Sequence, residues 1–178
     1  MSRTRYRIWD TTRPYFLTDT IVDWLPVFTR PEAAAIVLDS WRFLTASRGL
    51  TLYAYVVMEN HLHWVAAADD LPKQVKEFKS FTARRIIDFL GARADAGMLD
   101  RLAWLKAGYK TRSTHQFWQE GSHPKEITSD EMMEQKVEYV HNNPVRRGYI
   151  ERPEHWRYSS ARNYLGQPGL VEVTTRWF

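Results

Sequence analysis

Residues 51–68 read TLYAYVVMENHLHWVAAA. The first half is rich in β-branched and aromatic residues and reads as a strand. The second half, from His61, reads as another. Between them lies a two-residue break at Glu59–Asn60, which predicts an antiparallel hairpin. Side chains alternate along a strand, so His61 and His63 share one face and Leu62 and Trp64 the other. Two adjacent imidazoles can supply two ligands to one divalent metal. In a chain with six histidines, a His-x-His pair also arises as two surface or hydrogen-bonded side chains. The motif alone does not choose between these readings.

Outward from the hairpin, the pattern alternates between strands and helices. Residues 14–29, PYFLTDTIVDWLPVFT, read as a strand with an irregular end. Pro31 suits the first turn of a helix. Val37, Trp41 and Leu44 share a face of that helix, and Gly49 is a natural stop. A second helix is expected from about Leu71 to Leu90, where Val75, Phe78, Thr82, Ile86 and Phe89 follow helical spacing. Lys73, Lys76, Lys79, Arg84 and Arg85 fall outside that stripe. Residues 91–113 read as a loop with a short helix, and HQFWQE (115–120) as a short strand. A third helix starts near Thr128, which with Glu131 fits a capping box. Asn143–Pro144 is its expected end, because proline disfavours helical geometry in the residue before it. This order predicts an α+β fold: a ferredoxin-like split βαβ core with a mostly antiparallel sheet flanked by helices.

The chain has 178 residues, enough for one domain with a real core; residues 145–178 form a basic C-terminal tail. No cysteine is present, which excludes disulfides and thiolate metal sites. The charged start lacks an apolar core, and no apolar run approaches membrane-spanning length. A cytoplasmic location without membrane association is therefore expected. The net charge is +4, with 25 Lys plus Arg against 21 Asp plus Glu; this mild excess is compatible with contacts to a phosphate backbone. Aromatic residues make up 14% of the chain. Some could stack on bases, while most are expected in the core.

On the third helix, Met133, Val137 and Val140 form an apolar stripe. With Val137 at the origin, Tyr139 lies at about 200° and Asn143 at about 240°. Both point away from the stripe, and as i, i+4 neighbours their phenol and amide can reach one site. The plainer alternative is an exposed tyrosine and a helix-end asparagine.

Three segments carry a family resemblance: YVVMENHLHWV (55–65), FKSFTARRI (78–86) and YVHNNPVRRGYIERPEHWRYSSARNY (139–164). Together they resemble the REP-associated tyrosine transposases, a branch of the single-tyrosine HUH transposases, over about Pro14 to Tyr164. The chain departs from the family at Glu59, where proline usually precedes Asn-His, and in 91–113, which matches no motif. The resemblance implies an HUH motif on a central strand and a catalytic tyrosine on a helix. His61 and His63 would be metal ligands, Tyr139 the nucleophile, and Asn143 a third ligand one turn later. Mg²⁺ or Mn²⁺ is the implied ion.

The implied activity is metal-dependent cleavage and rejoining of single-stranded, hairpin-containing DNA through a 5′-phosphotyrosine link. Lys79, Arg84, Arg85, Arg112, Arg146, Arg147, Arg157 and Arg162 are candidate phosphate contacts. Trp118, Trp156 and Tyr158 are candidate stacking partners. The competing reading is a domesticated protein that binds hairpin DNA with little or no cleavage. A metal-dependent hydrolase of small phosphoesters is a third, disfavoured by the lack of further Asp and His ligands. The working form is expected to be a monomer or a homodimer.

Overall fold

The computed structural model describes residues 8, 10, 13–106, 108, 114–121 and 123–177. Strand β1 (Tyr15–Thr20) leads through two 3₁₀ turns to helix α1 (Pro31–Ser47). The hairpin follows as β2 (Thr51–Val57) and β3 (His61–Ala67), then α2 (Leu71–Ala92) and α3 (Ala96–Trp104). The remaining elements are β4 (Lys125–Glu126), α4 (Asp130–Arg146) and the short α5 (Ala161–Tyr164). The sheet order is β2-β3-β1-β4, with every neighbouring pair antiparallel. β3 lies between β1 and β2, which places the two histidines at the centre of a split βαβ sheet, as expected.

Alternation divides the sheet's side chains between two layers. Tyr15, Leu17, Tyr55, Leu62, Trp64 and Ala66 pack against α1 and α2. α1 contributes Ala34, Val37, Leu38, Trp41 and Leu44, which are all buried. α2 contributes Val75, Phe78, Thr82, Ile86 and Leu90. Leu90 takes the place expected for Phe89, which is only partly buried and carries the Arg93 guanidinium over its ring. Phe16, Ala54, Val56 and Val65 point the other way, onto Met133, Val137 and Val140 of α4. A bulge between Leu52 and Ala54 resets the alternation in β2.

Several local expectations are corrected. Residues 115–120 are not a strand: Trp118 makes a single bridge to Ile21, and the fourth strand is Lys125–Glu126. The cap of α4 is Ser129, whose hydroxyl accepts from the Met132 N–H, rather than Thr128. The helix also continues through Pro144 to Arg146. Pro144 sits in the last turn, so its missing N–H costs one helical bond while packing keeps the turn in place. Within 91–113, α3 supplies the short helix.

The basic C-terminal segment packs along the outer edge of β2. Val57 N–H donates to the Tyr158 carbonyl at 2.8 Å, Ser160 N–H to that of Tyr55 at 3.0 Å, and Thr174 N–H to that of Leu52 at 2.8 Å. These bonds satisfy backbone groups that an edge strand would otherwise present. No described helix is long and apolar enough to cross a membrane.

Candidate active site

The hairpin turn is fixed before the histidines begin. Met58 N–H donates to the His61 carbonyl at 2.8 Å, closing the turn around Glu59–Asn60. The Glu59 carbonyl accepts from Phe28 N–H at 2.9 Å and the Asn60 carbonyl from Ile21 N–H at 3.0 Å. Asn60 Oδ1 lies 2.7 Å from His61 Nδ1. Thr18 Oγ1, opposite His63 in the β1–β3 register, lies 2.8 Å from His63 Nδ1. In both rings Nδ1 is engaged, which leaves Nε2 as the available nitrogen.

The two imidazole rings stand 4.9 Å apart, and both side chains are buried. Burial holds His61 down at about 4, with the Arg147 charge adding to the effect. Burial, the neighbouring His61 and Arg147 hold His63 at about 3. Both are neutral at pH 7, the form that donates a lone pair.

α4 lays its polar side over this pair. The Tyr139 ring lies 5.2 Å from that of His63 and 5.6 Å from Phe16, which itself stacks on His63 at 5.3 Å. The Arg146 guanidinium lies 5.3 Å from the Tyr139 ring centre, and Lys136 Nζ lies 5.2 Å from that of Phe16. Burial lowers the Lys136 ammonium from its ordinary value, as does Lys125 nearby. Asn143 is 8% exposed, and its Oδ1 is buried without a hydrogen-bond partner. An orphaned acceptor of this kind carries a desolvation cost that a cation would remove. Neutral imidazoles and an amide oxygen are donor types that suit Mn²⁺ or Mg²⁺. Among the described residues, no three His, Asp or Glu side chains gather as a ligand set.

Glu59 bolts the turn to the end of α4. Its Oε1 accepts from Arg147 Nη1 at 2.9 Å and from the Tyr149 hydroxyl at 3.1 Å. His141 points elsewhere, with Nε2 2.9 Å from Ser160 Oγ.

A cavity of about 410 Å³ opens on this cluster, walled by Thr18, His63, Lys79, His123, Lys125 and Tyr139 among others. A neighbouring cavity of about 740 Å³ shares Lys79, Gln119, Glu120 and Gly121 with it and continues along α2 past Arg84.

The remaining candidates scatter. Lys79 stands at both cavities and pairs with the buried Asp19 at 3.1 Å. Arg85 is exposed on α2. Arg147 is committed to Glu59. Trp118 is 6% exposed and donates its indole N–H to the Lys79 carbonyl. It is core, which corrects its reading as a stacking surface. Trp156 donates its indole N–H to the Val57 carbonyl and stacks on Tyr149, while Tyr158 packs against the α1–α2 core. Arg157 is exposed, and Arg162 donates to the Glu154 carbonyl. Arg112 lies outside the described residues. Thr18 and Asn60 had no signal of their own, because their roles follow from strand register and turn geometry.

A solved structure of a REP-associated tyrosine transposase bound to a REP hairpin matches the whole chain and 95% of its own length, with TM-score 0.68 and 17% identity. The chain has the fold of a REP-associated tyrosine transposase. A putative transposase from Deinococcus radiodurans R1 also matches, covering 80% of this chain and 97% of its own, with TM-score 0.45 and 21% identity. No family model and no curated protein sequence matches.

Proposed function

We propose that the chain cleaves and rejoins single-stranded, hairpin-containing DNA through a 5′-phosphotyrosine link to Tyr139, with a divalent cation, Mg²⁺ or Mn²⁺, as cofactor. The observation that supports this most directly is the meeting of Tyr139 with His63, 5.2 Å ring to ring, from elements far apart in sequence. The hairpin in the structural neighbour of the same fold supports the substrate class.

His61, His63 and the orphaned Asn143 oxygen would hold the cation. When bound, it would polarise the phosphate through a non-bridging oxygen and favour in-line attack. The Tyr139 oxygen forms a bond to phosphorus, the bond from phosphorus to the 3′ oxygen breaks, and the phenol proton is lost. The departing 3′ oxygen takes up a proton and leaves as a hydroxyl. The new phosphodiester keeps the energy of the old one, so a later 3′ hydroxyl can attack it, release Tyr139 and join strands. Arg146 puts a fixed positive charge beside the nucleophile's ring. Thr18 and Asn60 hold the imidazoles in orientation. His141, bonded to Ser160, takes no part.

The test is a covalent adduct with labelled hairpin DNA and Mn²⁺ or Mg²⁺ on a denaturing gel. Wild type should form it and Tyr139→Phe should not. Tight, metal-independent binding without an adduct would favour the domesticated hairpin-binding reading. An adduct with Tyr139→Phe would show another nucleophile.

A further inference from the structure

The turn between β1 and α1 contains two consecutive residues in the left-handed region, Asp23 and Trp24, each with φ 54°. Neither is glycine, so each conformation is strained and persists only when its surroundings impose it. The surroundings are specific. Trp24 N–H donates to the Ile21 carbonyl at 3.0 Å, and Leu25 N–H to that of Val22 at 3.3 Å. Asp23 pairs with Arg101 of α3. The Trp24 carbonyl accepts from Asn60 Nδ2 at 3.3 Å, the same amide whose oxygen contacts His61.

These bonds aim the indole outward. Val22 and Leu25 on either side are buried at 6%, whereas Trp24 is 52% exposed. Its ring nevertheless sits 5.7 Å from that of His61, at 72°. A large aromatic surface is thus left half in water beside a proposed metal ligand, on a strained backbone wired to that ligand. Trp118, Trp156 and Tyr158, by contrast, are wholly or partly packed into the protein.

We propose that Trp24 is a stacking platform for one unpaired nucleobase of single-stranded DNA, next to the phosphate at the His61–His63 pair. This rests on the endonuclease reading and adds a subsite to it. An aromatic face accepts any base, so the contact would fix position rather than sequence.

A cycle between protein and DNA tests it. Wild type first selects a hairpin with a short single-stranded flank from a randomised pool, without metal. Each flank nucleotide is then replaced in turn by an abasic residue. Affinities are measured by anisotropy, without metal, for wild type, Trp24→Phe and Trp24→Ala. On the intact flank, Trp24→Ala should bind about tenfold more weakly and Trp24→Phe within about threefold of wild type. At one abasic position the loss caused by Trp24→Ala should vanish. Equal losses at every position, or no loss, would overturn the proposal. So would a fall in Mn²⁺ affinity with unchanged DNA binding, which would make Trp24 a shield for His61. An absent Tyr139 adduct would remove the endonuclease reading while the binding cycle still decides the stacking. A wild type that selects no DNA would overturn both.

Discussion

The two faces of the sheet are built from the same strands by opposite rules. Toward α1 and α2 the alternating residues are apolar, and Trp41, Trp64 and Phe78 meet ring to ring. The polar exception there, Asp19, takes the Trp64 indole N–H at 2.9 Å and Lys79 at 3.1 Å. Toward α4, apolar packing ends near Phe16 and gives way to His61, His63, Thr18, Tyr139 and Asn143. On the helical side Asp19 is paired, and the unpartnered Trp41 Nε1 and Gln74 Oε1 sit within the α1–α2 packing, while the α4 side leaves the Asn143 acceptor and two imidazole nitrogens uncommitted. Stability and chemistry are therefore segregated by strand alternation, and mutations should separate them.

The largest expected stability effect lies on the helical face. Trp41→Ala should cost about 3–5 kcal/mol in urea unfolding, through loss of a fully buried ring. Next is acid. His141, on the α4 side, is held by burial at about 4. The unfolded chain binds its proton near the ordinary histidine value and the folded chain does not. Stability is therefore full at neutral pH and falls as pH drops from about 6.5 to about 4, by roughly 3 kcal/mol for this group. His141→Gln should flatten that part of a pH series of melting curves.

His61→Ala should separate the faces most clearly. Adduct formation at Tyr139 should fall at least about a hundredfold. Hairpin affinity and Tm should move far less than for Trp41→Ala; parallel losses would mean that His61 is structural. The smallest effect belongs to the bolt between the turn and α4. Glu59→Ala should cost about 1–2 kcal/mol and speed amide exchange over residues 143–149, while the α1–α2 core stays protected.

Much of this division was legible in the sequence, because alternation and helical spacing are local. The hairpin, α1, α2 and the shared face of the histidines follow from residue order, whereas Tyr139, expected nearly opposite the Met133–Val137–Val140 stripe, instead packs beside it onto Phe16 and His63 of the sheet. What was not legible depends on partners distant in the chain. Trp118 looked like a free aromatic beside charges, yet its indole finds the Lys79 carbonyl and the Thr82 hydroxyl inside the core. Pro144 looked like a stop, yet the last turn tolerates it. β4 is two residues long and has no periodicity to detect. Trp24 reads as one more apolar residue in an irregular stretch, and only its backbone geometry sets it apart.

The C-terminal segment along β2 has a consequence for assembly. Its hydrogen bonds occupy the outer backbone of β2, so a neighbouring copy finds no free strand there with which to continue the sheet. Self-association must use side chains on helix faces or another edge, and a pair formed that way would leave each copy's strand order intact.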